Sequence, residues 1–255
     1  MLELKEFFMQ ERGTTMYIVF LSLLFILIGV VMVVAALSEK KYKGVVITEK
    51  IKCKGYCQSI SLLWGFVLAV SLMCLVGNIR LEDIGLRWIS FKYNSWFTAV
   101  TLILSGLSLA FLLYQTIILL TSAKAREEAK KQLVTSEGAG QSLPRTKKEK
   151  WLFSFLSLSA GICEETVFRG FLVFLLQAIF PDIPIYLIVL IPSVVFGIFH
   201  LYQGLQGVIK TGVFGALLMC LVLVTDSLIL AMLLHFLLDL SSAFLLSEEE
   251  DLGDK

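Results

Sequence analysis

Apolar positions in this chain come in long blocks rather than in short alternations. Seven such blocks stand out: Thr15 to Leu37, Ile60 to Val76, Trp96 to Leu120, Trp151 to Phe180, Ile183 to Leu201, Val208 to Val224, and Ser227 to Leu246. A helix rising 1.5 Å per residue needs about 20 apolar residues to cross ~30 Å of hydrocarbon. Backbone polar groups in lipid must be satisfied within the spanning element, which leaves helices for blocks of this length. The pattern therefore predicts an all-α, polytopic transmembrane helical bundle of about seven spans, within a range of six to eight. The first block follows a mixed-charge start and exceeds the apolar core of a signal peptide, about 7 to 15 residues, so it is expected to be a retained helix. The fourth is long enough to tilt or to begin along the interface. The polar step Thr225-Asp226 is either a loose span boundary or a tight hairpin.

The polar segments between the blocks organise the chain. Residues 121–150 form the one sizeable polar insertion, which separates an N-terminal three-span region, 1–150, from a four-span region, 151–246, and an acidic tail, 247–255. Within the insertion, Ala123 to Leu133 reads as a charged helical extension of the third span, and the Gly/Ser-rich Thr135 to Ser142 as linker. The loop after the first span carries Lys40, Lys41, Lys43, Lys50, Lys52 and Lys54. The loop after the third carries eight more basic residues, from Lys124 to Lys150. The opposite side has Lys5, Arg12, Arg80, Arg87 and Lys92. The positive-inside rule then puts the two basic loops and the C-terminal tail in the cytoplasm and the N-terminus outside.

Composition sharpens this picture. Hydrophobic residues make up 57% of the chain and charged ones 17%, against about 25% charged in soluble domains. The net charge of +1 and the lack of a basic stripe with interleaved aromatics argue against nucleic acid as a partner. The five cysteines, Cys53, Cys57, Cys74, Cys163 and Cys220, are odd in number and scattered, which argues against a disulfide framework. Cys53 and Cys57 have a C-x3-C spacing in a basic loop, a weak metal or redox signal. Cys163 lies in an apolar run, where a reactive thiolate is disfavoured.

The candidate chemistry lies in the apolar blocks of 151–246. Both histidines of the chain, His200 and His235, fall there, as do Glu164, Glu165, Arg169 and Asp239. Each ionisable group in hydrocarbon costs at least a few kcal/mol, so their accumulation points to one polar site inside the bilayer. Helical depth places Glu164 about 20 Å from Trp151 and His235 about 17 Å from Leu246, in one mid-depth layer, with His200 nearer the cytoplasm. Glu165 and Arg169 are at i, i+4 in the favourable order and form a candidate ion pair, which leaves Glu164 for chemistry. His235 and Asp239 share the same spacing, as do Phe196 and His200, while Pro192 and Gly197 allow a bend or close packing. Such a set suits water activation. Glu164, helped by His200, would take a proton from water. His235, with Asp239 holding its tautomer or contacting the site, would stabilise an oxyanion.

The order and spacing of these residues resemble a known family. Glu164-Glu165-Thr166-Val167-Phe168-Arg169 resembles the E-E-x-x-x-R motif, Phe196 to His200 resembles F-x-x-x-H, and His235 to Asp239 resembles the closing H-x-x-x-[N/D/B] motif. Together they are similar to the CPBP family of CAAX proteases and bacteriocin-processing enzymes, also called the Abi family. The resemblance spans roughly Trp151 to Leu246. It implies an intramembrane endopeptidase, metalloprotease-like by label, acting on a membrane-associated protein or peptide of CAAX type or a bacteriocin or pheromone precursor. It also implies a multi-pass protein, of a bacterial plasma membrane, that works in contact with the lipid bilayer. By resemblance Glu164, His200, His235 and Asp239 would be catalytic, with Glu165, Arg169 and Phe196 in support. Asp239 stands where the prenyl-protein branch has Asn. A zinc ion held by Glu164, His200 and His235, and a metal-free glutamate–histidine dyad, account for the same residues. Two other classes stay open, a catalytically silent immunity or partner-binding scaffold and a proton-coupled transporter. Neither the substrate nor the oligomeric state follows from the residues.

Overall fold

The computed structural model describes residues 2–42, 48–91, 96–122, 124, 125, 127, 128 and 143–242. The Gly/Ser-rich linker and the acidic tail lie outside them. Among the described residues the architecture is helical throughout, with no strand: α1 (Leu2–Tyr42), α2 (Glu49–Gly77), α3 (Trp96–Thr121), α4 (Lys147–Glu165), a π-helical turn (Thr166–Phe171), α5 (Leu172–Ile179), α6 (Ile185–Phe199), a 3-10 turn (Leu201–Gln203), α7 (Gly204–Thr225) and α8 (Ile229–Ser242). Four of these helices are long and apolar enough to cross a membrane. Large apolar side chains such as Leu68, Leu75, Val76 and Val213 stand exposed around the outside, as lipid-facing residues do and as a water-facing surface does not. The protein is an integral membrane protein.

The spans differ from the sequence reading in three respects. The fourth block is not one α-helix, since the π turn breaks it, with Leu172 N–H reaching back five residues to the Val167 carbonyl. The fifth block is helical over 15 residues only, about 22 Å of rise, so as a helix it falls short of the full hydrocarbon thickness, while the described part of the seventh block is helical from Ile229 to Ser242. The basic stretch Lys50 to Lys54 is no loop. It forms the first turns of α2, whose N-terminus is capped by the Thr48 side chain, and the Cys53–Cys57 spacing is thus one helical turn. All five cysteines are free thiols.

Packing follows from the apolar stripes. In α1, Phe20, Leu24, Ile28 and Val31 are buried at spacings of three and four, one face of a helix, and they meet the π turn and α5 through Phe20–Phe171 and Tyr17–Phe174 ring contacts. α2 lies along α4, with Tyr56 edge-on to Phe153 and Trp64 Nε1–H donating to Ser159 Oγ. α4 crosses α8 at Gly161, where a β-carbon would lie 2.8 Å from the Met232 carbonyl oxygen. Only glycine permits that approach, and it brings the two helices together one turn before Glu164.

Connections close both ends. The Thr225-Asp226 step is a tight turn: Asp226 adopts the left-handed conformation at φ 50°, and α8 starts three residues later. The α2–α3 connection is stapled to this turn. Ser90 N–H donates to the Thr225 carbonyl, Leu228 N–H donates to that of Gly85, and Ser227 Oγ–H donates to that of Arg87. Arg87 also pairs with Asp226 at 3.0 Å. At the other end, Lys148 lies 3.9 Å from Glu49, so the basic first turns of α2 and α4 meet at one end of the bundle.

Candidate active site

The π turn starts directly after the Glu164-Glu165 pair. A π turn widens the helix and rotates the residues after it, and such turns concentrate at functional sites. Here Arg169 lies within it and Glu164 and Glu165 immediately precede it. His200 ends α6 and Phe196 sits one turn earlier, while His235 and Asp239 occupy successive turns of α8. The α4–α8 crossing at Gly161 and the α6–α7 packing bring these elements to one focus.

The focus is the Glu164 carboxylate. Its Oε2 lies 4.0 Å from His200 Nε2 and 3.9 Å from His235 Nε2, and it is buried without a hydrogen-bond partner. Those separations exceed a direct hydrogen bond but fall within the reach of one bridging water. Both imidazoles are fixed from behind. His200 Nδ1 is 2.9 Å from the Phe196 carbonyl oxygen, and His235 Nδ1 is 2.8 Å from Glu165 Oε1. An acceptor at Nδ1 holds a proton on that nitrogen and leaves the Nε2 of each ring facing Glu164.

Behind His235 runs a second row. Arg169 Nη1–H donates to Glu165 Oε1 at 2.8 Å, the same oxygen that His235 Nδ1 uses, and both side chains of that ion pair are 0% exposed. The Arg169 guanidinium also lies 4.1 Å over the Phe196 ring. Phe196 thus touches three site residues, since its ring lies 4.6 Å from that of His200 and edge-on to His235 at 5.8 Å. Its part is steric and orienting, through both ring and carbonyl.

Residues 146–241 match the family model of type II CAAX prenyl endopeptidase Rce1-like proteins. This segment is similar to the CAAX protease family. No curated protein and no solved structure matches the chain. The family is one of intramembrane proteases, and the matched segment runs from the N-cap of α4 to the last turn of α8. All the site residues read from the sequence fall within it, and all lie around this one focus.

The placed side chains divide the supporting contacts. The residue that fixes the His235 tautomer is Glu165, whereas Asp239 faces the opposite nitrogen, with Oδ2 3.7 Å from Nε2. Arg169 is enclosed completely, so it meets Glu165 and Phe196 rather than an incoming chain. The zinc set Glu164, His200 and His235 does not fit a metal as placed. Among the described residues no group of three His, Cys, Asp or Glu side chains has metal-holding geometry.

A cleft of about 300 Å³ leads to the site, lined by Phe196, His200, His235 and Asp239 and, among residues outside the motifs, by the amides Gln115 and Gln203. Gln115 comes from α3, outside the matched segment. Its signal in the sequence is an amide inside an apolar span, where such a group is costly without a partner. Gln115 near the end of α3, Gln203 before α7 and Ser241 at the end of α8 all lie toward the end of the bundle that bears the basic segments. The cleft opens that way.

Proposed function

We propose that the chain is an intramembrane endopeptidase that hydrolyses a peptide bond of a membrane-associated protein or peptide with water activated by Glu164. The observation that carries the reading is the convergence of two fixed imidazoles on one unpartnered, buried carboxylate oxygen. In this reading the water bridges Glu164 and His200. Glu164 takes a proton, the water oxygen bonds to the carbonyl carbon, and the C=O π pair moves to oxygen. His235, protonated, has an acceptor for each N–H, Glu165 at Nδ1 and the new oxyanion at Nε2. One such donor is worth about 2.7–4 kcal/mol of transition-state stabilisation. Collapse returns the pair, breaks the C–N bond, and the proton held by Glu164 goes to the leaving amine nitrogen. Asp239, close to Nε2, orients His235 from the cleft side.

The substrate enters from the end carrying the basic segments, which the positive-inside rule assigns to the cytoplasm. A substrate anchored by a lipid or an apolar segment suits a cleft walled partly by Phe196, Phe214 and Leu238, and CAAX-type C-termini are the first candidates. The test reconstitutes wild type and Glu164→Gln in proteoliposomes. Each is given prenylated and unprenylated C-terminal peptides, and products are read by mass spectrometry. Wild type is expected to release a C-terminal fragment and Glu164→Gln to lose about 10²–10⁴ of the rate, the usual size of an acid–base contribution. Equal cleavage by both proteins refutes the role of Glu164. No cleavage of any membrane peptide, with a cellular phenotype that survives Glu164→Gln, favours a silent scaffold.

A further inference from the structure

Glycines mark the places where this fold is tightest, and one of them differs in kind from its neighbours. At Gly161, Gly170 and Gly197 the nearest obstacle to a β-carbon is a backbone carbonyl oxygen, those of Met232, Ile84 and Val208. These are close approaches of chain to chain. At Gly215 in α7 the nearest obstacle is a charged side chain, Arg169 Nη2, at 2.7 Å, followed by Phe196 Cδ1 at 3.3 Å. Both belong to the row behind His235.

We propose that Gly215 is a positioning residue for the reaction: its bare Cα forms the wall against which the Arg169 guanidinium rests, and through Arg169 and Glu165 it sets the His235 ring. The proposal rests on the protease reading above. Arg169 has few other restraints. Its Nη1 is bonded to Glu165, its plane lies on Phe196, and its Nε and Nη2 have no hydrogen-bond partner. A carbon and a nitrogen in ordinary contact stand about 3.5 Å apart. A methyl group on residue 215 therefore forces the guanidinium or α7 to move by roughly 0.8 Å. The Arg169–Glu165 bond is 2.8 Å long, and such bonds weaken beyond about 3.2 Å. Glu165 Oε1 is shared with His235 Nδ1, so a shift of the guanidinium passes to the ring within two contacts.

The test uses the full-length protein in lipid nanodiscs with ring-15N histidine. The chain has two histidines, so two ring spin systems appear, and His200→Gln assigns them. Gly215→Ala is expected to move the His235 signals and leave those of His200 in place. With a cleaved peptide in hand, it is expected to lower kcat about tenfold, with KM within about twofold. Gly212→Ala is the control on the same helix, since its β-carbon meets nothing nearer than the Ser193 carbonyl oxygen at 3.5 Å, and it is expected to change neither readout. The decisive arm is Gly215→Ala placed on Arg169→Lys, which lacks Nη2. There the further shift of the His235 signals is expected to vanish, and this readout works even where Arg169→Lys has removed turnover. Unmoved His235 signals in Gly215→Ala overturn the proposal. An equal shift with or without Arg169 also overturns it, by assigning the effect to packing against Phe196. If Gly215→Ala alone does not assemble, recovery in the double variant supports the contact and continued failure overturns it. Loss of the protease reading would appear separately, as cleavage that survives Glu164→Gln.

Discussion

Lys52 and Glu149 join α2 to the start of α4, and the consequences of removing each partner differ in a calculable way. Their side chains are 6% and 3% exposed, with Nζ and Oε2 3.3 Å apart. That burial takes the pair out of the class of surface bridges worth about 0–1 kcal/mol and into the class where an orphaned charge dominates. Glu149 has other donors: its Oε2 also accepts the backbone N–H groups of Arg145 and Thr146, and with Thr146 it completes a capping box. Lys52 donates, besides Glu149, to the neutral Leu143 carbonyl. Lys52→Met therefore leaves a carboxylate that is still hydrogen-bonded and is expected to cost about 1.5–3 kcal/mol, the size of a hydrogen bond to a charged group. Glu149→Met leaves a buried ammonium facing a neutral acceptor and is expected to cost about 3–5 kcal/mol, plus roughly 1 kcal/mol for the lost cap.

The sign of the double variant is the sharper prediction. Lys52→Met/Glu149→Met has no orphaned charge, so it is expected to be more stable than Glu149→Met alone, although it carries one more substitution. Reversible unfolding in mixed detergent micelles, monitored by far-UV circular dichroism, gives the three differences and the coupling energy. Additive losses, with the double variant the least stable of the three, would refute the argument. Because the latch is remote from Glu164, cleavage per folded molecule is expected to stay near wild type throughout.

Gly161→Ala places a carbon 2.8 Å from the Met232 carbonyl and is expected to cost about 1–3 kcal/mol in the same unfolding assay, with cleavage falling at least tenfold as α8 carries His235 off Glu164. Asp83, in the α2–α3 connection outside the spans, is held below the usual carboxylate range by the Arg80 side chain and then by the Arg80 backbone N–H. Its contribution is thus present above the unfolded value of about 3.9 and lost as pH falls through the lower folded value, so the small stability gap between wild type and Asp83→Asn is expected to close on acidification in a pH series of unfolding curves. A cysteine placed at Lys148, at the basic end, is expected to react with an impermeant maleimide in inside-out vesicles and not in intact cells; labelling in intact cells would reverse the proposed orientation.

The sequence makes the helical bundle legible because apolar blocks of span length have few alternatives in lipid. It makes the Glu165–Arg169 pair legible because i, i+4 neighbours on a helix meet without any knowledge of the fold, and that pair persists through a π turn that contains Arg169. The turn itself leaves no simple periodic trace, since six residues of altered hydrogen bonding inside a uniformly apolar run change no pattern of polar and apolar positions. Burial of Lys52 is invisible for another reason: a lysine in a basic stretch reads as solvated, and its partner lies 97 positions away. One signal was available there. Thr146-Lys147-Lys148-Glu149 is a capping-box spacing, and it sets the start of α4 four residues before the apolar block begins.

Glu164 and Glu165 are identical residues in adjacent positions, and what separates their proposed tasks is geometry. Successive positions on a helix point about 100° apart, so one carboxylate faces the cleft-side imidazoles and the other faces inward. Glu165 is met there by two donors, Arg169 Nη1 and His235 Nδ1, both at 2.8 Å on one oxygen, which ties it down as a fixed anchor. Glu164 meets no donor at hydrogen-bond distance on its Oε2 and instead faces two ring nitrogens across about the width of a water. A carboxylate that holds two donors on one oxygen is a poorer base at that oxygen, because proton transfer to it must break those bonds, while one aimed at a water site between two imidazoles keeps its lone pairs for the reaction. The division predicts asymmetric tolerance. Glu165→Gln retains an acceptor oxygen that can still hold His235 Nδ1–H, so it is expected to lose part of the rate and part of the stability. Glu164→Gln retains its shape and loses only basicity, so it is expected to lose nearly all of the rate and little stability. Measured on one peptide and in one unfolding assay, the reverse pattern would exchange the two roles and place the water on the inner face of α4.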